Sequence, residues 1–289
     1  MQWRGRRGSN NIEDRRQPGG GGRGGGARAG GIGGAGVIVI LLLGWVFDVD
    51  VSGLLNDPNV QTGAQQTATR DLSAEDAAAA EFVSVNLADT EEVWSGIFRD
   101  QLDRTYQPPT LVLFSGTTSS ACGGASGASG PFYCPGDKKA YLDTDFFVIL
   151  ERRLGAAGDF ARAYVIAHEV AHGVQDQLGI LGQANLLRAQ VSQADSNLIS
   201  VRIELQADCF SGVWANHARD VGGFDRADFL EALNAAKQIG DDTLQANAGQ
   251  RPNPHTFTHG TSEQRARWFL TGLQSGNIAD CDTFATQDL

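Results

Sequence analysis

The sequence predicts an α+β protein that is rich in helix, has a small sheet and carries one transmembrane helix before its folded domain. Three observations lead to this prediction: an uncharged apolar segment near the N-terminus, two short β-type runs, and several apolar-periodic runs bounded by capping residues and glycines. The chain has 289 residues, of which 41% are hydrophobic and 20% charged, so it is long enough for one sizeable core. No internal repeat is visible in the sequence.

Residues 1–29 are rich in glycine and arginine and have no apolar periodicity. This composition is typical of a disordered tail, because it offers little apolar surface to bury. Only Glu13 and Asp14 oppose the positive charge of the arginines in this segment. The arginines are Arg4, Arg6, Arg7, Arg15, Arg16, Arg23 and Arg28.

Residues 30–47 are uncharged and contain the dense apolar run 37–43, which predicts a transmembrane helix near the short limit for a hydrocarbon core of about 30 Å. A cleaved signal peptide and a buried core helix are the alternatives. The long basic region before the run, and Asp48 and Asp50 where small residues would precede a cleavage site, favour an anchor. By the positive-inside rule we expect a single-pass protein of the cell membrane with a cytoplasmic N-terminus and an extracytoplasmic domain, either periplasmic or extracellular.

Residues 48–72 are polar and predict a flexible tether, so the folded domain is expected to be 73–289. Ser73 and Thr90 each precede acidic residues and each predict a helix N-terminus, because acids in a first turn suit the positive end of the helix dipole.

Two strands are predicted, at residues 110–114 and 139–142, and the second could bind an extended peptide along its edge. Helices dominate the rest of the domain, because apolar-periodic runs end at glycines or polar caps. They are predicted at residues 146–154, 159–178, 184–218, 225–239 and 261–273.

Four cysteines are an even number, which fits disulfides and an oxidising compartment outside the cytoplasm. Cys122 and Cys134 bracket a Gly/Ser-rich loop, so the simplest pairing joins them and joins Cys209 with Cys281. Four cysteines allow three connectivities, and four buried free thiols are a further alternative. The lack of a C-x2-C spacing argues against a cysteine zinc site.

The predicted helix 159–178 contains His168-Glu-Val-Ala-His172. Two histidines four residues apart lie on one helical face, so both imidazoles can reach one metal ion, and Glu169 lies beside them near the metal-bound water. An H-E-x-x-H motif also arises by chance, so the surrounding sequence has to show whether it binds a metal ion. Here the motif follows an apolar run on a helix.

A third ligand is available at Glu204, one turn from Asp208 on a long helical stretch. Two histidines and one glutamate leave the fourth position of a zinc ion for water. Asp208 could then accept the free ring N–H of His168 or His172. The alternative, a solvated acidic helix face, fits poorly with the apolar residues that surround the pair.

These residues predict one Zn²⁺ per chain and hydrolysis of a peptide bond by a zinc-activated water, with Glu169 as general base. His259 is the candidate that stabilises the tetrahedral intermediate, and Arg265 is expected to orient it or to bind a carboxylate. Loop histidines are often plain surface residues, however. His255 is a weaker candidate, and His217 is expected to be structural or exposed.

Other functions are poorly supported by the sequence. The net charge of −11 argues against a nucleic-acid partner, because phosphate binding needs clustered Lys and Arg. No G-x-S-x-G elbow supplies a serine nucleophile, and no P-loop is present. The expected partners are therefore a peptide or protein substrate and, through the N-terminal helix, a membrane. The oligomeric state is open.

The chain resembles the bacterial membrane-anchored neutral zinc metallopeptidases over nearly its whole length apart from the tether. The motifs that carry the resemblance are Trp3-Arg-Gly-Arg-Arg7, Glu13-Asp-Arg-Arg16, Cys122, Gly130-Pro-Phe-Tyr-Cys-Pro135, Tyr141-Leu-Asp143, His168-Glu-Val-Ala-His172, Glu204-Leu-Gln-Ala-Asp-Cys209, His259-Gly-Thr-Ser262 and Arg265. The resemblance implies a zincin fold with a glutamate as third zinc ligand. Many members carry Gly and His where this chain has Ala171 and Gly173, neither of which is a predicted ligand.

A second hypothesis is a zinc-stabilised, membrane-tethered binding module without catalytic activity. Glu169 separates the two hypotheses, because a structural zinc site has no use for a base and normally closes its fourth position with another ligand.

Overall fold

The computed structural model describes residues 1–16, 72–126 and 130–289. The predicted transmembrane helix 30–47 and the tether up to residue 71 lie outside the described residues. Within the described ranges, no helix combines the length and the apolar character that crossing a membrane requires.

The main sheet has four strands in the order β1-β2-β6-β5, and β3 and β4 form a separate hairpin. β1, β2 and β6 are mutually parallel, whereas β5 is antiparallel to β6. The strands are β1 Ile12–Asp14, β2 Thr110–Phe114, β3 Thr117–Ser120, β4 Gly123–Ser126, β5 Phe132–Cys134 and β6 Lys139–Asp143. Both predicted strands are therefore confirmed. The expectation that the second one offers a free edge is wrong, because β6 lies between β2 and β5, and β5 forms that edge.

The N-terminal segment, residues 1–16, is part of the folded domain, so the prediction of a disordered tail is wrong for these residues. β1 pairs with β2, and the indole of Trp3 is 5% exposed and packs edge-on against Phe82. Its Nε1 donates to Oδ2 of Asp159 at 2.8 Å. These contacts join residues far apart in sequence, so local periodicity could not reveal them.

The helices form most of the domain, as predicted for an α+β chain. They are α1 Ala74–Leu102, α2 Phe146–Arg152, α3 Asp159–Gln177, α4 Ile180–Arg188, α5 Gln193–His217, α6 Arg219–Gly222, α7 Arg226–Gln238, α8 Asp241–Asn247 and α9 Ser262–Ser275.

Apart from shifts of one or two residues at helix ends, the helices differ from the predictions in the following places. Thr90 lies inside α1, where its hydroxyl donates to the carbonyl of Leu87 at 2.7 Å instead of capping a new helix. The predicted stretch 184–218 is divided into α4 and α5, because Ser192 caps the backbone N–H of Asp195 and starts a new helix. α6 and α8 were not predicted from the sequence.

α5 and α9 touch through their backbones, and two glycines make this approach feasible. A Cβ on Gly212 would lie 2.0 Å from the carbonyl oxygen of Phe269, and one on Gly272 would lie 1.9 Å from the carbonyl oxygen of Cys209. The close crossing brings Asp208 of α5 to Arg265 of α9, with consequences for the metal centre.

Both predicted disulfides are confirmed. Cys122 pairs with Cys134 beside the hairpin of β3 and β4, and Cys209 on α5 pairs with Cys281 in the C-terminal segment. All four cysteines of the chain are thus used, and the second bridge holds the C-terminus against the helix that carries Glu204.

Candidate metal centre

His168, His172 and Glu204 converge at one point between α3 and α5. Nε2 of His168 lies 3.0 Å from Oε2 of Glu204, and Nε2 of His172 lies 3.6 Å from Oε1 of the same carboxylate. One ligand atom from each residue lies within 4.8 Å of the others. The structure therefore brings together the three residues predicted as zinc ligands.

This donor set fits zinc. Zinc–nitrogen and zinc–oxygen bonds of about 2.0–2.2 Å in tetrahedral geometry place ligand atoms roughly 3.3 Å apart, close to the separations found here. Two neutral imidazoles and one carboxylate are ligands that zinc prefers, and three protein ligands leave one position open to a substrate or water. His168, His172 and Glu204 could hold the ion together.

His172 is fixed in the tautomer that a metal ligand needs. Its Nδ1 lies 2.9 Å from Oε1 of Gln175. The amide of Gln175 can be oriented from its other contacts, because Nε2 donates to the carbonyl of Ile203 at 2.8 Å and to Oε1 of Gln206 at 3.0 Å. Oε1 of Gln175 must then accept, so Nδ1 of His172 carries the proton and Nε2 is left for the metal.

His168 contacts a buried carboxylate on its other side. Its Nδ1 lies 3.0 Å from Oδ1 of Asp208, although the two atoms lack the alignment of a good hydrogen bond. Arg265 donates two hydrogen bonds to Asp208, from Nε to Oδ2 at 2.8 Å and from Nη2 to Oδ1 at 3.0 Å. The hydroxyl of Tyr164 also donates to Oδ1. These contacts favour the charged form of Asp208 and lower its pKa, so a negative charge lies beside Nδ1 of His168, whose Nε2 lies near Glu204.

The electrostatics of the metal-free site follow from burial and mutual attraction. Burial raises the pKa of Glu204, but His172 and His168 outweigh it, so the pKa lies well below the ordinary value. Burial lowers the pKa of His168, yet the carboxylates of Asp208 and Glu204 outweigh it and raise the pKa to about 10. The imidazole of His168 and the carboxylate of Glu204 therefore attract each other, and metal binding at this position depends on pH because a ligand histidine has to be neutral.

Glu169 directly follows His168 on α3. Its side chain is buried, and its Oε2 has no hydrogen-bond partner among the described residues. Burial raises the pKa of this carboxyl, and the two histidines only partly oppose the effect. A buried carboxylate oxygen without a hydrogen bond lowers the stability of the fold. Such an oxygen next to metal-ligand side chains in sequence therefore indicates a functional group.

His259 stands on the loop before α9 and is held by Asp241, the first residue of α8. Its Nδ1 lies 3.1 Å from Oδ1 of Asp241, and its side chain is 48% exposed. Desolvation lowers the pKa of His259, but Asp241 and the charge of Glu204 outweigh it and raise the pKa. His259 thus has a raised pKa and lies within electrostatic reach of the third ligand.

Of the two roles expected for Arg265, the structure has it binding a carboxylate, that of Asp208, and not orienting His259. The arginine is buried, and its hydrogen bonds go to Asp208, to Tyr164 and to the carbonyl of Ile239. The other two histidines lie apart from the metal centre: His255 is exposed, and Nε2 of His217 lies 2.8 Å from the carbonyl oxygen of Gly276.

Sequence reasoning missed Gln175 and Asp241. Gln175 follows His172 by three residues, so it lies on the same face of α3, and this spacing was the signal available. Asp241 had no comparable local signal, because its contact with His259 depends on how α8 and the loop before α9 are placed together.

A family model described as "putative neutral zinc metallopeptidase" matches residues 1–284. The chain belongs to this family. It is 45% identical over 288 residues to YpfJ of Escherichia coli (strain K12), covering 98% of this chain and 99% of that protein. It is 40% identical over 262 residues to Rv2575 of Mycobacterium tuberculosis (strain H37Rv), covering 86% of each chain.

The protein Mb2605 of Mycobacterium bovis (strain AF2122/97) matches at the same 40% identity over 262 residues. All three relatives carry the description uncharacterized, so their names supply neither a substrate nor a mechanism. No solved structure matches this chain. The family match includes the N-terminal segment as well as the metal centre.

Proposed function

We propose that this family member is a zinc-dependent peptidase that hydrolyses peptide bonds with Glu169 as general base. The observation that carries the proposal is the unmatched, buried Oε2 of Glu169 beside the convergent ligand atoms of His168, His172 and Glu204. A structural zinc site would leave such a carboxylate without a purpose.

The roles of the residues follow from their positions. A zinc ion held by the three ligands supplies a Lewis acid, which polarises a carbonyl and lowers the pKa of a water molecule to about 7. Glu169 accepts the proton of the attacking water and delivers it to the leaving amine. His259, which Asp241 holds in place, donates a hydrogen bond to the oxygen that becomes negative in the transition state.

The edge strand β5 is the proposed site for an extended peptide. It lies against α3 next to the ligands: the ring of Tyr133 is 3.2 Å from the place where a Cβ on Gly173 would lie, and its hydroxyl donates to Asp176 at 3.0 Å. The outer edge of β5 has no strand partner among the described residues. Backbone pairing along this edge would align a substrate chain beside the metal centre.

Attachment to a membrane through residues 30–47 is a further part of the proposal, supported by the uncharged apolar sequence of that segment. The two disulfides support a domain that folds in an oxidising compartment outside the cytoplasm.

The competing function is a zinc-stabilised binding module that processes nothing. Turnover separates the two. The zinc-loaded, detergent-solubilised full chain is incubated with a peptide library, in parallel with Glu169→Gln and with Glu263→Gln as a control at an exposed glutamate.

We expect the wild type and the control to cleave the same peptides, and Glu169→Gln to retain zinc but lose activity by about 10²–10⁴-fold. Wild-type protein that holds zinc and cleaves nothing would favour the binding module. Undiminished cleavage by Glu169→Gln would remove the assigned base.

A further inference from the structure

The arginines of the N-terminal segment are engaged by the domain. Arg6 makes two hydrogen bonds to Asp89 of α1, one of them at 2.9 Å. Arg16, whose side chain is 2% exposed, bonds Asp14 at 2.9 Å through Nε. Together with the burial of Trp3 and the pairing of β1, these contacts make residues 1–16 an integral part of the fold.

The end of the N-terminal segment lies next to the start of α1. Arg16 is the last residue of the described range 1–16. α1 begins at Ala74, two residues into the next described range, 72–126. Nη1 of Arg16 donates to the carbonyl oxygen of Asp76, in the first turn of α1, at 2.6 Å. The two ends of the intervening stretch, residues 17–71, are therefore joined by a direct hydrogen bond.

We propose that the N-terminal segment and the metal domain lie on the same side of the membrane. The apolar residues 30–47 lie between them in sequence, and a single crossing there would separate them by a hydrocarbon core of about 30 Å. No strand pairing or side-chain contact reaches across such a distance. The N-terminal segment could not reach the domain of a second copy in the same membrane either, because the hydrocarbon core would separate them as well.

This proposal replaces the expected single-pass arrangement, in which the arginines indicated a cytoplasmic N-terminus. That indication is weakened for Arg6, Arg7, Arg15 and Arg16, because these four arginines are paired with acidic side chains of the folded domain. Arg6 and Arg16 bind Asp89 and Asp14. Arg15 donates to Glu13 at 2.8 Å, and Arg7 lies 3.8 Å from Glu92. A residue whose charge is paired within a folded domain does not report on membrane orientation. The inference is independent of peptidase activity.

The two sides can be compared with single cysteines in the full-length chain, since all native cysteines are in disulfides. Asn10→Cys reports on the N-terminal segment, and Gln190→Cys, on the turn between α4 and α5, reports on the domain; both positions are exposed. A membrane-impermeant maleimide is applied to intact spheroplasts of an expressing bacterium and again after permeabilisation.

We expect the two cysteines to behave alike, both labelled in intact spheroplasts or both labelled only after permeabilisation. Labelling of one in intact spheroplasts while the other is protected would overturn the proposal.

The docking on which it rests has its own test, hydrogen–deuterium exchange of the solubilised full chain. The backbone N–H of Ser9 donates to the carbonyl of Ser84 at 2.9 Å, and that of Arg15 donates to the carbonyl of Leu113 at 2.7 Å. These amides should exchange at least about ten-fold more slowly in the wild type than in a double variant that carries Trp3→Ala and Arg6→Glu. Exchange at the rate of an unfolded peptide in the wild type would overturn it.

Discussion

Asp241 binds His259 through both the backbone and the ring. Oδ2 of Asp241 accepts the backbone N–H of His259 at 2.6 Å, and Oδ1 lies 3.1 Å from its Nδ1. The same Oδ2 also accepts the N–H groups of Thr258 and Gly260. One buried carboxylate thus shapes the loop and raises the pKa of a histidine that interacts electrostatically with Glu204.

Asp241→Asn should weaken the role of His259 in turnover without removing the metal. Loss of the carboxylate charge lowers the raised pKa of His259, so the alkaline limb of the kcat profile should move to lower pH, and kcat should fall about 10–100-fold. Kinetics from pH 5 to pH 10 with zinc content in parallel provide the measurement. Asp242→Asn, whose carboxylate bonds Ser262 instead, is the control. An unchanged pH profile would show that His259 has no part in catalysis.

Gln175→Ala should weaken zinc binding, because Nδ1 of His172 loses the acceptor that fixes its tautomer. We expect the zinc dissociation constant to rise by about 10–100-fold. Competition with a chromophoric chelator measures it. Gln177→Ala is the matched control, since that side chain contacts Gln107 and the carbonyl of Gly173 rather than a ligand. Equal affinities for the two variants would contradict this role of Gln175.

Arg265→Ala should destabilise the fold strongly, because it leaves Asp208 buried without its countercharge. Breaking a buried pair of this kind costs about 3–5 kcal/mol in the free energy of unfolding. Arg267→Ala, two residues along the same helix, removes a surface arginine 3.6 Å from Asp288 and should cost under about 1 kcal/mol. Urea unfolding of both variants measures the difference, and a loss below 1 kcal/mol for Arg265→Ala would refute it.

The two disulfides should differ in their contribution to stability. Cys209 and Cys281 are separated by 72 positions and Cys122 and Cys134 by 12. Loop-closure entropy gives about 4 kcal/mol for the long bridge and about 3 kcal/mol for the short one. Replacing the long pair with alanine should therefore lower the unfolding free energy more than replacing the short pair, and unfolding curves of the two double variants would reveal a reversed order.

The stabilisation by Glu13 should depend on pH. Hydrogen bonds from Arg15 and Lys139 lower the pKa of Glu13 from 4.5 to about 2. A folded-state pKa below the unfolded one stabilises the protein above pH 4.5, and this contribution is lost as the pH falls toward 2. Because the side chain is 39% exposed, Glu13→Gln should cost under about 1 kcal/mol at pH 7.

Urea unfolding at pH 7 and pH 3 checks this prediction. The difference between wild type and Glu13→Gln should shrink at the lower pH. A difference that grows on acidification would contradict the sign of the pKa shift and the contact of β1 with Lys139.

The metal ligands could be predicted from sequence because their geometry is local. His168 and His172 lie on one helical face wherever the helix is placed, and Glu204 stands in an apolar stretch that has to be buried. The strand Thr110–Phe114 was equally accessible, since its apolar run lies between Pro109 and Gly116.

Contacts between distant segments could not be predicted in this way. The N-terminal segment has few apolar residues, yet the burial of Trp3 and the ion pair of Arg6 with Asp89 hold it to the domain. Thr90 follows the pattern of a helix cap but bonds within a continuous helix, because its surroundings are buried. In each case tertiary packing outweighed a local signal.

The most direct test of the metal centre is the zinc content of the purified full chain by mass spectrometry, with Glu204→Ala as the variant and Glu263→Ala as the control. We expect one zinc per chain in the wild type and the control, and loss of zinc from Glu204→Ala. A wild type without zinc, or a Glu204→Ala variant that binds it as tightly as the wild type, would contradict the assignment of His168, His172 and Glu204 as ligands.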